Sequence, residues 1–484
     1  ARLWHNIGSV HLLRGDNEAA LAAFDQALTR RRALNNRRDV ARTLTNIGHI
    51  RYNQGDLSAA RVAFEEALAI WQELALRADS TLARIGLGAV QMRLGLLAAA
   101  IQTFAEALTI ARECGDRPHK VMIQQDLGDI FTAQGRWAEA RRSLENARAA
   151  AQESGLTDLA AYALHRLGHL YLALFAGPMA QACYKEAEAI LGGTGHQQDE
   201  ALIQLGLGLA WLMAGDTEQA RCGLERAASL AGDSRVARIL VAQGLAALEL
   251  AGGAPEMALQ HATVAVDEAA AAGYREPEAE ARRWQGEALL ALGRAEEAIA
   301  ALQQALTIAD EVGLPAVQWQ ALAALGRAHR ARGDLPAARE ALKRAVCTVE
   351  TLAGHIGDEG LRAGFLAAGP VRRLREDQAD LGRQVQVRLA RPDAPTGRPL
   401  TDDERAAVVW TVDAGAPDAA LLAAEGKVAL RRARLRRLLD EAAAQGGRPT
   451  EEDLAAALGV TPRTVRSDLA ALRQAGQPVR TRGG

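Results

Sequence analysis

"NIGSVHLLRGDNEAALAAFDQAL" (Asn6–Leu28) returns forty residues later as "NIGHIRYNQGDLSAARVAFEEAL" (Asn46–Leu68). The same frame comes back as "GLGAVQMRLGLLAAAIQTFAEAL", "DLGDIFTAQGRWAEARRSLENAR" and "RLGHLYLALFAGPMAQACYKEAE". Its first small residue falls at Gly8, Gly48, Gly88, Gly128, Gly168 and Gly208, a step of forty each time. Ala246 takes the place in a degenerate seventh unit, two residues early, and Gly286 and Gly326 restore the step, which makes nine units. A fixed internal period of this size marks a solenoid built from one repeated supersecondary unit.

Each unit reads as two antiparallel helices. Gly8 and Ala20 are small so that the two can approach closely, and Phe24 and Ala27 pack the second helix on the first and on the next unit. The "GD" or "GR" steps at Gly15, Gly55, Gly135, Gly215, Gly293 and Gly333 end the first helix, because glycine takes a left-handed turn without a Cβ clash. One pair cannot bury its apolar face alone, so neighbours must stack.

The bulk numbers agree. A chain of 484 residues exceeds one ordinary domain. Its 49 % hydrophobic content, mostly Ala and Leu, excludes a disordered chain and favours close-packed helices. A net charge of −2 points to no class of partner. Cys114, Cys183, Cys222 and Cys347 have neither metal-ligand spacing nor a disulfide framework, as in small buried residues of a reducing cytosol. No apolar run approaches the ~20 residues of a membrane span. The opening "ARLWHNIGSVHLLRGD" starts inside a repeat and without Met, so an upstream part is expected.

The small, small, aromatic, small pattern resembles the tetratricopeptide repeat family over about residues 1–347. The resemblance implies an all-α fold: a right-handed superhelix of about nine helix pairs with a 40-residue period. The family's usual period is 34, so forty implies longer second helices. It also implies a concave groove lined by the first helices. The inward positions would be Arg42, His49, Tyr52 and Asn53 in unit two, Gln125 and Asp129 in unit four, His165 and His169 in unit five, and Leu205 and Leu209 in unit six. Such a groove would take a protein or peptide, polar in units two to five and apolar in unit six. The alternative for the apolar strip is internal packing in a tightly wound superhelix. The family's carboxylate-clamp subgroup needs a Lys where His5 and Thr45 stand, so a chaperone tail is not the expected partner.

His165 and His169 are four apart on one helix face, a spacing that could ligate a metal. No third ligand suggests itself, so they read as polar lining. With no P-loop, nucleophile elbow or paired-carboxylate motif, neither enzyme, metal nor cofactor is expected.

Residues 348–390 lose the repeat signature but keep helical spacing at Leu352, Leu361, Phe365 and Leu366, and read as capping helices over the last apolar face. "LRAGFLA" is similar to text that ends regulators with long tetratricopeptide arrays. Pro392, Pro395 and Pro399 make 391–400 a linker.

Residues 401–484 read as a separate module. Thr401 and Glu404 have capping-box spacing, so a helix is expected to start there. Trp410 should bury against the next helix, Lys427 to Gln445. That helix carries Val428, Leu435, Leu438 and Leu439 on one side and Arg431, Arg432, Arg434, Arg436 and Arg437 on the other. In "RPTEEDLAAALGVTPRTVRSDLAALRQAG", Thr450 caps a short helix with Asp453, and Gly459 makes the turn. Thr461 then caps a second helix with Pro462 at its first position. That is helix-turn-helix arithmetic, and the exposed start of such a second helix meets base edges. Arg463, Thr464, Arg466, Ser467 and Arg473 are the residues expected on double-stranded DNA, with Arg480 and Arg482 on backbone phosphate.

The module resembles the winged helix-turn-helix of DeoR-type repressors and a prokaryotic family of unassigned function, over about residues 397–484, although "GQPVRTRGG" is short for a two-stranded wing. From Lys427 on there are 12 Lys and Arg against 6 Asp and Glu, a basic module on an acidic remainder. No aromatic residue follows Trp410, which disfavours base stacking on RNA. The expectation is a cytoplasmic bacterial transcription regulator with a tetratricopeptide sensor array. The rivals are a scaffold with a docking helix-turn-helix, and the sensor arm of a larger signalling ATPase.

Overall fold

The computed structural model describes residues 1–14, 16–192, 197–395, 398–476 and 481–482; Gly15 and Arg480 therefore lie outside the described residues. The chain forms two compact units, Ala1–Arg372 and Arg373–Gly484. It is all-α apart from one two-stranded sheet among the described residues.

Among its described residues the first unit holds nine helix pairs. They are α1 (Arg2–Leu13) with α2 (Asn17–Ala33), α3 (Arg37–Asn53) with α4 (Leu57–Glu73), and α5 (Thr81–Arg93) with α6 (Leu97–Glu113). Next come α7 (Arg117–Ala133) with α8 (Trp137–Glu153), α9 (Thr157–Ala173) with α10 (Gly177–Leu191), and α11 (Gln197–Met213) with α12 (Thr217–Leu230). The last are α13 (Arg235–Ala251) with α14 (Pro255–Ala272), α15 (Arg275–Ala291) with α16 (Ala295–Val312), and α17 (Pro315–Arg332) with α18 (Leu335–Gly354). The expected lengthening is not confined to second helices: α3, α4, α7, α8 and α9 all have 17 residues.

The "GD" step does two jobs. Gly55, Gly215 and Gly333 take positive φ and end a first helix. The aspartate that follows starts the second: Asp56, Asp216 and Asp334 accept from the amides of Ala59, Gln219 and Ala337 at 3.0–3.2 Å. In "GR" units the arginine instead bridges to a carboxylate three residues on, as Arg136 does to Glu139 at 2.8 Å.

The repeat glycines are slots for side chains sixteen residues on. A Cβ at Gly48 would lie 2.7 Å from Phe64 Cε1, and one at Gly168 2.7 Å from Tyr184 Cζ. Gly86 and Gly206, on the next first helix, clear the other side of the same two rings. Phe64 and Tyr184 are accordingly buried between two helices that lack a Cβ at the point of contact.

The array winds back on itself. Gly55 of unit two lies against Arg235 and Tyr274 of unit seven, Gly95 of unit three against Arg275 and Val312, and Gly135 of unit four against Pro315 and Leu352 of unit nine. Each contact joins repeats five apart, so one superhelical turn sits on the next. The capping segment follows the same rule. Phe365, on α19 (Glu359–Ala367), meets the Trp137 ring edge-on at 5.1 Å and stacks on Phe175 at 5.8 Å. It covers units four and five rather than only the end of unit nine.

The second unit departs from the expected layout. After α20 (Gly369–Asp380), which spans the boundary, residues expected as capping helix form β1 (Arg383–Ala390). Residues expected as helix from Thr401 form β2 (Arg405–Asp413), antiparallel to β1 with Val385 opposite Trp410. The described residues of the expected linker, 391–395 and 398–400, thus fall between the two strands of a hairpin. The Thr401–Glu404 bond does form, at 2.9 Å from the Thr401 amide, but it closes a turn before a strand. In "RAAVVWTVD" Ala406, Val408, Trp410 and Val412 are buried while Arg405, Ala407 and Val409 are exposed, an alternation that suits a strand with one buried face. That face packs on α21 (Ala416–Ala444), which is broken at Gly426 (φ 82°, ψ −178°), one residue before the expected helix start. Then come α22 (Glu451–Leu458) and α23 (Pro462–Gln474), capped by Thr450 with Asp453 and by Thr461 as expected.

Candidate functional site

Packing between neighbouring helices decides which expected groove residues face open space. Leu205 and Leu209 do not: they join one apolar cluster with Leu224 of α12 and Val241 and Leu248 of α13. Gln125 is buried and donates to the Leu159 carbonyl at 2.6 Å, stapling α7 to α9. His49 and His165 lie edge-on to Phe64 and Tyr184, with ring centroids 5.0 and 5.8 Å apart. They belong to the helix-pair interface. Arg42 and Asn53 are exposed.

Tyr52, Asp129 and His169 are brought into one polar cluster with side chains that the groove positions did not include. Arg93 of α5 donates from Nε to the Tyr52 hydroxyl at 3.2 Å and lies over the Tyr274 ring at 5.5 Å. Arg166 of α9 pairs with Asp126 at 3.1 Å and with Asp129, both on α7. Glu276, five repeats beyond α5, lies in the field of His169 and Arg93, which favour its charge, and of Asp129, which opposes it. Burial pushes the Asp126 carboxyl up to about 6, although Arg166 pulls against it. Burial likewise raises Glu276, against His169 and Arg93. The cluster offers hydrogen bonds and mixed charge. Among the described residues no three His, Cys, Asp or Glu are grouped to hold a metal.

In the second unit, α22 and α23 pack on α21 through Leu454, Ala455, Val465, Leu469, Leu472, Leu435, Leu438 and Leu439. The left-handed Gly459 (φ 64°) makes the turn between them. The Trp410 indole donates to the Leu438 carbonyl at 2.8 Å, as its expected burial requires, whereas Val428 is exposed. On α23, Arg463, Ser467 and Arg473 are exposed and Thr464 is half-buried, its hydroxyl 2.9 Å from that of Thr461. Arg466 is exposed but bonded twice to Glu451 Oε2, at 2.9 and 2.7 Å. Arg482, expected on phosphate, is tied to protein: its amide donates to Pro449 and its Nη2 to the Pro395 carbonyl.

The arginines of α21 are mostly not a free basic stripe. Arg434 and Arg437 converge on the buried Asp418 at 2.7–2.9 Å. Burial opposes the charged form there, but the bonds from Arg437, the Ala414 amide and Arg434 outweigh it and hold the carboxyl at about 2. Stability from this group is present above the unfolded carboxyl value, near 4, and is lost as pH falls toward 2. Asp418→Asn should therefore cost the second unit roughly 2 kcal/mol at pH 7. Amide exchange over residues 383–474 would read it, and unchanged protection would refute it.

The tetratricopeptide repeat family matches residues 1–73, 79–153 and 277–346. The array is built of tetratricopeptide repeats. Residues 372–484 match the family described as "Protein of unknown function (DUF1670)". No curated protein matches the chain. Similar solved structures include BtubC (BKLC) from P. vanneervenii, 22 % identical over 44 % of this chain and 90 % of that one, with a TM-score of 0.38. The apo form of RapI is 13 % identical over 55 % and 96 %, with a TM-score of 0.47. A signal transduction ATPase with a tetratricopeptide repeat sensor, from Pyrococcus horikoshii, is 17 % identical over 74 % and 54 %, with a TM-score of 0.38. These likenesses say nothing of what this chain binds.

The tetratricopeptide register did hold a signal for the missed residues. Asp126 and Arg166 occupy the same place, two before the first small residue of their units, and Asp129 and His169 the place just after it. Opposite charges at one register of adjacent first helices will pair across the stack. That Glu276 joins them depends on the winding.

Proposed function

We propose that the chain is a transcription regulator: the tetratricopeptide array binds a protein or peptide segment, and the C-terminal unit binds double-stranded DNA. The observation that carries the DNA reading is α23. One side of this helix is buried through Val465, Leu469 and Leu472, and the other presents Arg463, Arg466, Ser467 and Arg473. A short capped helix, a left-handed turn and a second capped helix support a helix-turn-helix reading, in which such a face enters the major groove. Arg466 would exchange Glu451 for a base or phosphate. The array supplies recognition without catalysis, through the polar cluster around Tyr52, Arg93, Asp129 and Arg166.

The test is selection from a random duplex pool by the full chain at near-physiological salt. An enriched motif is the expected result. Arg466→Ala should then lose ~1–3 kcal/mol and relax the preference. An unchanged preference in that variant would remove Arg466 from base readout. No salt-dependent duplex affinity would favour a scaffold or sensor arm with a docking module.

A further inference from the structure

Two arginine pairs on α21 are built alike and used differently. Arg437 spends its whole guanidinium: Nη1 and Nη2 go to Asp418 and Nε to the Thr411 carbonyl. Arg434 gives Nε to Asp418 and Nη2 to Asp413 at 3.0 Å. Those two arginines hold the hairpin and the start of α21 on the rest of that helix, and little of them is left for a ligand.

Arg431 and Arg432 meet on Asp468, whose side chain is 3 % exposed. Both approach with Nε, at 2.5 and 3.0 Å. No described hydrogen bond uses the Nη groups of either, and their side chains are 27 % and 43 % exposed. One buried carboxylate thus fixes two guanidinium groups by their inner edges. Their outer edges remain as paired N–H donors with a net charge of one. Two parallel donors on one plane match two oxygens of a phosphate, and anchoring at Nε removes the rotamer freedom that binding would otherwise cost. Asp468 lies one helical turn after Thr464, so the pair meets α23 on the side of that residue, one of those expected on DNA.

We propose that Arg431 and Arg432, oriented by Asp468, form a clamp for one backbone phosphate of duplex DNA. The clamp rests on the DNA-binding reading and adds a contact outside α23. It positions the helix and reads no sequence, because a phosphate is the same at every step.

The experiment follows duplex binding by the full chain across a salt series, for the native protein, Arg432→Gln and Arg431→Gln/Arg432→Gln. Each phosphate contact contributes about −0.9 to the slope of log K against log salt. The double variant should lose about one such increment while enriching the same motif from the random pool. Arg432 is the more exposed of the two, so the single variant decides the matter should the double variant fail to fold. A motif enriched by the native chain together with an unchanged slope in the variants would overturn the clamp and leave the DNA reading standing. A changed motif with an unchanged slope would make the pair a determinant of base choice, which also overturns it. Absence of duplex binding by the native chain would overturn both.

Discussion

Phe64→Ala should lower the stability of the array by about 3–5 kcal/mol, the usual cost of emptying a site filled by a buried aromatic ring. Phe64 is fully buried and fills the slot between Gly48 on its own first helix and Gly86 on the next. Its cluster runs on through Ile47, Ile50 and Trp71 to Ile239, Val266 and Tyr274, five repeats away. The loss is therefore expected to loosen two superhelical turns together, not one repeat. Gly86→Val attacks the same slot from the opposite side: its side chain has no room beside the ring, so overpacking should destabilise by ~1–3 kcal/mol. Urea titration followed by circular dichroism reads both. Exchange protection lost in units two and three but kept in unit seven would refute the coupling.

Acidification from pH 7 to pH 5 should destabilise the array by a few kcal/mol. Burial, followed by Arg31 and Arg42, holds His5 down to about 4. Burial, followed by His119, holds His49 at about 4, and burial, followed by His169 and Arg166, holds His165 at about 3. All three pack edge-on against a ring of the following helix, which takes one side of each imidazole out of water. A histidine with a lowered folded value is fully stabilising above its unfolded value, near 6.5, and that stability is lost as pH falls toward 4. At pH 5 the three terms amount to roughly 2 kcal/mol each. Asp126 works the other way: its raised value gives stability on the acid side that is lost as pH rises through about 6. Glu276, also raised by burial, acts in the same direction, and two opposing carboxyls offset only part of three imidazoles. The check is the urea midpoint at the two pH values, in the native chain and in His49→Gln/His165→Gln. Equal pH sensitivity in both proteins would refute the assignment to these rings.

The candidate sites were only partly legible. Caps and buried stripes of α22 and α23 could be read residue by residue, since a cap is satisfied three positions away and a stripe repeats every turn. The sheet was missed because Thr401 and Glu404 satisfy a local rule while β2 is decided by its partner. Nothing near Arg405 says that Ala390 will lie beside it. Likewise, the basic run on α21 gave no sign that Asp418 and Asp468 would claim four of its arginines, since those carboxylates reach them only once the helices pack.

The sequence by itself determined the nine helix pairs, their forty-residue spacing, the glycine slots and the two capped helices at the end. These depend on neighbours within a few turns or in the next repeat, and the period writes them out nine times. Only the tertiary structure decided that the superhelix closes on itself after five repeats, that Leu205 and Leu209 are packing and not groove, and that Glu276 joins Asp129 and His169. It also decided which arginines of α21 keep free donors. Those outcomes turn on small rotations between successive helix pairs and on long-range pairing, which accumulate over hundreds of residues and leave no mark at any one position.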